Sequence, residues 1–416
     1  DVKPTLEKLL VTMFVTYTGR YLHGELPKAW KSFQSYKGGT IIAFLDSLMN
    51  NVLYREAYDR LSLHVETGLN AETALQSYAP EKLLDCDAFL CVDQILVKWL
   101  IERLLSEDIG AKLDQLSIPD ICEKRMKMHF GRKTGTAYQV IRSAYVLAMA
   151  ANYQCPDDFK GIIDQYQEKD WMIDQEYRKF YTAFDAMENG DGFDGLKNMV
   201  ENIYTNRVLA VQLPKWNGAI HEGEAFLTLP LQRNFYNRYI KNSKERTVVI
   251  ISDAMRYEVG RQLFLQMQDD PKCTAKMETM LGILPSYTRL GMAALLPHSS
   301  LSMKDDYTVQ ADERNCDNLA DRQTILQMYQ PDALCLQFDD IKNRKIAELR
   351  EIFTGRQLFY VYHNQIDARG DKANTEDEVF VACEEAVREI MEFIHRISTS
   401  ANTYHFIVTS DHGFLY

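Results

Sequence analysis

The chain has 416 residues, a formal net charge of −12, 46% hydrophobic residues and 25% charged residues. This composition is typical of a folded globular protein, and the length predicts two or three domains. The acidic balance argues against a broadly basic, nucleic-acid-coating protein, although it is compatible with a local basic groove. It also permits phosphate-ester hydrolysis, because bound metal ions can supply local positive charge.

The eight cysteines are scattered and form no CxxC pair. This usage predicts reduced thiols in a cytoplasmic protein and gives no support to a zinc finger. We find no signal peptide and no apolar run of about 18 residues, so no membrane span is expected. The chain starts at Asp1 and stops at Tyr416, directly after a strand-like segment. We therefore expect it to be part of a longer protein.

Residues 1–240 carry mostly helical patterns. Leu6, Leu10 and Met13 follow helical spacing near the start, and residues 88–105 form a long apolar stretch typical of a buried helix. No motif of known chemistry stands out in this region. We interpret residues 1–240 as a helical scaffold or partner-binding region.

Residues 247–416 show a different pattern, in which apolar strand-like runs alternate with helical segments. Strands are predicted at 247–252, 277–284, 357–363 and 404–409. Helices are predicted at 256–267, 288–296, 320–329, 342–353 and 375–398, with a polar hairpin or cap at 298–318. This alternation predicts an α/β domain with a largely parallel sheet.

Three of these strands lead into acidic or imidazole side chains. Asp253 follows the first strand, Asp367 the third, and Asp411 with His412 the last. Because ligands bind at the carboxyl ends of parallel strands, we expect these groups to converge at one edge of the sheet. Neighbouring carboxylates repel each other unless a cation lies between them. Carboxylates with an imidazole suit zinc, manganese or magnesium.

Thr288 and Ser286 precede the helical segment RLGMAALLP. A hydroxyl at this place either caps the helix or acts as a nucleophile next to a metal ion. Beside the three acidic strand ends we favour a nucleophile, with Thr288 as the first candidate and Ser286 as the second.

Further charged residues lie close to these motifs. Three arginines are candidates for holding phosphate oxygens: Arg256, Arg289 and Arg369. His363 and His298 are candidates for additional metal ligands, and Glu258 for a carboxylate that orients a ligand. For each of them an ordinary structural role is the alternative.

Four stretches together resemble one protein family. VVIISDAMRYEVG, LPSYTRLGMAALLP, YVYHNQIDARGD and VTSDHGFLY, all between Val248 and Tyr416, are similar to the PglZ family of BREX bacteriophage-defence systems. That family belongs to the alkaline phosphatase superfamily. The resemblance implies an α/β alkaline-phosphatase-like core at 247–416, incomplete at its C-terminal end and preceded by the mostly helical region.

The resemblance also implies that the full-length protein binds two divalent ions, which would be zinc, manganese or magnesium. One ion would be held by Asp253, Thr288, Asp411 and His412. The second would be held by Asp367 and Asp371, where Asp371 stands in place of a usual histidine, and by a later histidine beyond Tyr416. These departures place two-metal catalysis by this chain in question.

The implied function is a metal-dependent phosphoesterase, either a phosphodiesterase or a phosphatase, in a bacterial antiviral BREX system. Implied partners are other BREX components such as the DNA methyltransferase, with nucleic acid or a nucleotide as a candidate substrate. The alternative is a scaffold or interaction protein of the defence complex, with a structural or nucleotide-sensing metal site.

Overall fold

The computed structural model describes residues 5–188, 190–221, 229–370 and 378–414. The chain forms two compact units. The first comprises Asp1–Gln154 and Glu176–Leu213, and the second comprises Cys155–Gln175 and Pro214–Tyr416. The second unit thus takes in residues on the N-terminal side of the predicted boundary at 240–247. A separate functional role for residues 1–240 stays a prediction.

The part of the chain before the sheet is mostly helical, as predicted. Its α-helices are α1 Leu6–Tyr21, α2 Gly38–Asn50, α3 Arg55–Leu69, α4 Ala71–Leu75, α5 Leu90–Leu105, α6 Ile118–Met126, α7 Gly131–Met149, α8 Phe159–Gln165, α9 Trp171–Asp185, α10 Asp194–Asn202 and α11 Ala210–His221. Short 3-10 or π-helical turns lie at Lys31–Phe33, Pro80–Lys82, Ala150–Asn152, Tyr166–Asp170, Ile203–Leu209, Gln232–Asn234 and Tyr236–Ile240. A small hairpin joins β1 Lys112–Leu113 to β2 Leu116–Ser117.

The second unit contains the larger sheet and the helices that cover it. Its strands are β3 Thr247–Ser252, β4 Leu301–Met303, β5 Val309–Ala311, β6 Arg314–Asn315, β7 Leu334–Gln337, β8 Leu358–His363 and β9 His405–Thr409. Its later helices are α12 Tyr257–Asp269, α13 Thr288–Ala294, α14 Leu319–Tyr329, α15 Phe338–Ile341, α16 Ile346–Phe353, α17 Asp367–Gly370 and α18 Val379–Ala401.

The main sheet has four strands in the order β7-β8-β3-β9. All three pairings are parallel, with Ser252 opposite His363 and Ile251 opposite Thr409. The predicted parallel α/β sheet is therefore confirmed. Because β3, β8 and β9 run side by side in one direction, their carboxyl ends meet at the same edge.

The central strand β3 is buried along its whole length. Val248 and Ile250 pack into a core formed with α12, α16 and α18. Val249 and Ile251 face the other side, where α13 and α14 pack. Burial on both faces explains the continuous run of branched apolar residues, which is typical of a parallel sheet between two helical layers.

Two strand predictions were wrong in detail. The segment 277–284 is not a strand: among the described residues it makes a single β-bridge, between Leu231 and Leu281. The edge strand β7 was missed, because its four residues are too short to show a clear apolar pattern. The region 298–318 does form antiparallel strands, β4 to β6, as one of the predicted alternatives.

The helix predicted from Thr375 is observed as α18, which begins at Val379 with Glu378 as its N-cap residue. Thr375 and Asp377 lie outside the described residues. No helix in the described part of the chain has the length and apolar character that crossing a membrane requires.

Candidate metal centre

Two buried carboxylates lie at the carboxyl edge of the main sheet. Asp253 follows β3 directly, and its backbone N–H donates to the carbonyl of His363 at 2.8 Å. Asp411 lies two residues beyond β9, and its Oδ1 accepts from the N–H of Ala254 at 3.2 Å. Ala254 has a left-handed φ of 62°, so the chain turns sharply after β3. The side chains of Asp253 and Asp411 are thereby held beside one another.

Thr288 is the first residue of α13, and its hydroxyl does not cap that helix. Its Oγ1 lies 2.8 Å from Nε2 of His412. The other ring nitrogen of His412, Nδ1, lies 2.9 Å from the carbonyl oxygen of Gly413. Because a carbonyl oxygen only accepts, Nδ1 donates to it, and Nε2 is the ring nitrogen that faces Thr288.

Nε2 of His412 also faces both carboxylates. It lies 3.6 Å from Oδ1 of Asp253 and 3.4 Å from Oδ2 of Asp411. Both of these oxygens are buried and accept no hydrogen bond from the described residues. Buried acceptors without donors are costly, and a cation between them would satisfy both. The hydroxyl, the imidazole and the two carboxylates therefore fit a divalent ion.

The charges at this edge are poorly balanced without such an ion. Burial raises the pKa of Asp253 well above its usual range, and the neighbouring carboxylates of Asp411 and Asp367 raise it further. The guanidinium of Arg322 acts in the opposite direction on the same pKa. Repulsion between buried carboxylates is the condition that a bound divalent cation relieves.

Asp367 belongs to the same cluster. It begins α17, and one of its carboxylate oxygens lies within 4.8 Å of ligand atoms of Asp253 and His412. Asp371, the other predicted ligand of a second ion, lies outside the described residues. The second ligand set therefore stays a prediction.

Gly291 allows α13 to approach the chain that carries Asp411. A Cβ at this position would lie 2.4 Å from the carbonyl oxygen of Asp411, far inside contact distance. A glycine in a helix interior normally weakens the helix, so its presence in RLGMAALLP was a readable signal of close approach. The absence of a side chain at Gly291 is what brings Thr288 near His412.

Gln232 joins the two segments that carry Asp411 and Thr288. Its side chain is buried, and its amide nitrogen donates to the carbonyls of Ser410 at 3.1 Å and Asp411 at 2.7 Å. Its amide oxygen accepts from the N–H of Ile283 at 2.9 Å. Nothing in the local sequence identified Gln232, because all of these partners are distant along the chain.

The three predicted phosphate-binding arginines differ in their surroundings. Arg256 is held by Asp174 at 2.6 Å and by the carbonyl of Phe414 at 2.9 Å. Arg369 pairs with Glu385 at 2.5 Å. Arg289 has a side chain that is 48% exposed and lies 3.8 Å from a carboxylate oxygen of Asp317. Arg289 is thus the most accessible of the three.

A fourth arginine was not foreseen. Arg322 on α14 is buried, its Nε donates to the carbonyl of Cys316 at 2.9 Å, and its guanidinium lies over the ring of Tyr362. The sequence of α14 contains no motif that singles out Arg322. Its positive charge lowers the pKa of Asp253, and this relationship depends on the fold.

The remaining candidates lie at other positions. Nδ1 of His363 lies 3.0 Å from the hydroxyl of Ser252, and Nε2 lies 3.2 Å from a carboxylate oxygen of Glu389. His363 therefore links the end of β8 to the end of β3 and to α18. Nδ1 of His298 lies 2.7 Å from the carbonyl of Leu296. Ser286 is exposed, and Glu258 is buried on α12.

Comparison with known proteins identifies a family for the C-terminal part of the chain. Residues 233–416 match the family described as the BREX system PglZ alkaline phosphatase-like domain. The chain is 33% identical over 427 residues to "Alkaline phosphatase-like protein PglZ" of Bacillus cereus (strain H3081.97), covering 99% of this chain and 49% of that protein. It is 29% identical over 439 residues to "Alkaline phosphatase-like protein BrxZ" of Escherichia coli O9:H4 (strain HS), covering 100% of this chain and 50% of that protein.

The chain spans about half the length of the curated relatives it matches. The family match covers the main sheet, Thr288 and the Asp411-His412 pair. Residues 233–416 therefore form an alkaline phosphatase-like domain of the PglZ family.

Proposed function

We propose that this chain carries the metal-dependent phosphoesterase centre of a BREX defence component. The observation that supports the proposal is the convergence of Thr288 Oγ1 and His412 Nε2 with two buried oxygens, Oδ1 of Asp253 and Oδ2 of Asp411, that accept no hydrogen bond from the described residues. A hydroxyl beside a cation-binding cluster suits transfer of a phosphoryl group to the protein and then to water.

The four residues of this centre have different proposed roles. Asp253, Asp411 and His412 would hold one divalent ion, which supplies positive charge to the phosphate and to the attacking oxygen. Thr288 Oγ1 gives up its proton and attacks phosphorus, the bond from phosphorus to the leaving oxygen breaks, and the leaving group departs as the protonated alcohol. Water then hydrolyses the bond between phosphorus and Thr288 Oγ1, which restores the hydroxyl and releases a phosphomonoester from a diester substrate. The Nδ1–H to Gly413 bond keeps Nε2 of His412 turned toward the cluster.

The ligands of this centre are oxygen and nitrogen atoms only, which suits zinc, manganese or magnesium. Asp367 and Asp371 would contribute to a second ion. Arg289 follows Thr288 directly and is half-exposed, so we propose it as the arginine that holds phosphate oxygens. A nucleic acid or nucleotide diester is the proposed substrate class.

The proposal is tested with nitrophenyl phosphodiester and monoester substrates, in chelator-treated protein and after addition of Zn²⁺, Mn²⁺ or Mg²⁺. We expect ion-dependent turnover that is lost in Asp253→Ala. Asp305→Ala is the matched control, because Asp305 is an exposed carboxylate of the same domain. Full turnover by Asp253→Ala in ion-replete protein would show that the assigned centre is wrong.

A scaffold role is the second candidate, and one observation favours it. Among the described residues of the first unit, four large apolar side chains are at least 70% exposed: Tyr36 at 93%, Leu53 at 81%, Leu6 at 73% and Val52 at 70%. Val52 and Leu53 are adjacent in the chain, and a contiguous exposed apolar patch marks a surface that binds protein partners. Proposed partners are other BREX components such as the DNA methyltransferase. Leu53→Glu should weaken co-purification with them, and unchanged recovery would argue against this role.

A further inference from the structure

A second cluster of metal-binding side chains lies in the same unit and shares no residue with the Asp253 cluster. Asp270 follows α12 directly, Cys273 lies three residues later, and His395 projects from α18. One ligand atom of each residue lies within 4.8 Å of the others. The loop that follows α12 and the helix α18 thus bring the three side chains to one point.

Local hydrogen bonds hold Asp270 and Cys273 in a fixed turn. The N–H of Cys273 donates to the carbonyl of Asp270 at 3.0 Å, and the N–H of Lys272 donates to its Oδ1 at 2.9 Å. The other carboxylate oxygen, Oδ2, lies 2.8 Å from Nε2 of His395. One oxygen of Asp270 therefore shapes the turn, while the other is directed at the imidazole.

This cluster is accessible from solvent. Seven of the eight cysteines are buried, and Cys273 is the one that is partly exposed. The side chain of His395 is 38% exposed and that of Asp270 19%. All three line a cavity of about 1300 Å³, together with Phe264, Met267 and Met391. An ion has a path to the cluster, and its remaining coordination position would face the cavity.

We propose that Asp270, Cys273 and His395 form a separate binding site for a zinc-class divalent ion. Zinc takes thiolate, imidazole and carboxylate ligands at about 2.0–2.3 Å, so tetrahedral ligand atoms stand roughly 3.5 Å apart. Small side-chain movements bring the three atoms to that spacing. The thiolate selects zinc over magnesium and manganese, in contrast to the Asp253 cluster. The competing interpretation is a simple His395–Asp270 ion pair beside an uninvolved thiol.

The test uses the accessibility of Cys273 in an Asp253→Asn background, so that the first cluster does not contribute. Purified protein is alkylated with iodoacetamide with and without Zn²⁺, and the modified cysteine is identified by peptide mass spectrometry. With Zn²⁺ at about ten times its Kd, alkylation of Cys273 should slow by about tenfold, because only the ion-free protein reacts.

His395→Gln should lose this protection, while Asp305→Asn should keep it. Alkylation of the seven buried cysteines would reveal misfolding of a variant, so a folding defect is distinguished from a lost ligand. As a second readout, Co²⁺ should give a thiolate-to-cobalt charge-transfer band that is lost in Cys273→Ser. Equal alkylation rates with and without Zn²⁺, together with no such band, would overturn the proposal.

Discussion

The hydroxyl of Thr288 lies 2.8 Å from Nε2 of His412, although 124 residues separate the two along the chain. The contact exists because α13 packs against the turn after β9, close to Asp411. It places a nucleophilic oxygen beside a cluster of buried carboxylates.

Asp253→Asn should stabilise the metal-free protein. The substitution removes a carboxyl whose ionisation is opposed by burial and by repulsion from Asp411 and Asp367, and each unit of pKa shift corresponds to about 1.4 kcal/mol. We expect a gain of about 2 kcal/mol in the free energy of unfolding. The measurement is thermal unfolding in chelator, with Asp305→Asn as the exposed control. A clear loss of stability in Asp253→Asn would contradict the destabilising effect of burial and carboxylate repulsion at Asp253.

The stability of the metal-free protein should fall as the pH rises. The folded-state pKa of Asp253 lies above its unfolded value, so its contribution is fully present below about pH 4 and is lost as the pH rises toward the folded pKa. Unfolding midpoints between pH 5 and pH 9 should therefore decline more steeply than in Asp253→Asn.

Divalent ions should reverse this trend, because ion binding releases the proton from the carboxyl. Calorimetric titration in two buffers of different ionisation heat measures that release. Binding without proton release at neutral pH would show that Asp253 is already ionised in the metal-free protein.

Gly291→Ala should damage the centre without touching any ligand. The added Cβ would lie 2.4 Å from the carbonyl oxygen of Asp411, so α13 must move away and take Thr288 with it. We expect a loss of about 1–3 kcal/mol in stability and a large loss of turnover. Gly260→Ala is the matched control, since its Cβ meets nothing closer than 3.9 Å and alanine favours the helix. Equal behaviour of the two variants would contradict the close-approach explanation.

Gln232→Leu should lower stability by about 1–3 kcal/mol, because the part-buried carbonyl of Ser410 and the buried carbonyl of Asp411 lose their donor. The same change loosens the link to Ile283 and should lower kcat more than it raises KM. Steady-state kinetics with a nitrophenyl phosphodiester measure the separate effects on kcat and KM. Gln357→Leu is the control, because Gln357 is exposed. A variant with unchanged kcat would show that Gln232 has no part in positioning the centre.

The sequence predicted the sheet and its acidic edge well, because both depend on local patterns. The buried run at β3 and the acidic residues after β3, β8 and β9 follow from periodicity and from the rule for parallel strands. The false strand at 277–284 shows the limit of this reasoning. That segment has the apolar residues of a strand, but the described structure gives it one bridge to Leu231.

The residues that support the centre were harder to find. Gln232 and Arg322 act through contacts with segments far away in the chain, so no window of sequence contains their partners. Arg256 lies beside a motif, and for that reason the sequence suggested that it binds substrate phosphate. In the structure its guanidinium pairs with the carboxylate of Asp174 and donates to the carbonyl of Phe414. Its role in binding phosphate stays a prediction.

The most direct test of the account is the ion-dependent turnover of a nitrophenyl phosphodiester by Thr288→Ala, compared with Ser286→Ala. We predict that Thr288→Ala folds and binds the ion but loses turnover, while Ser286→Ala retains full turnover and Thr288→Ser retains part of it. Full turnover by Thr288→Ala, or loss of turnover in Ser286→Ala alone, would contradict the assignment of Thr288 as the nucleophile.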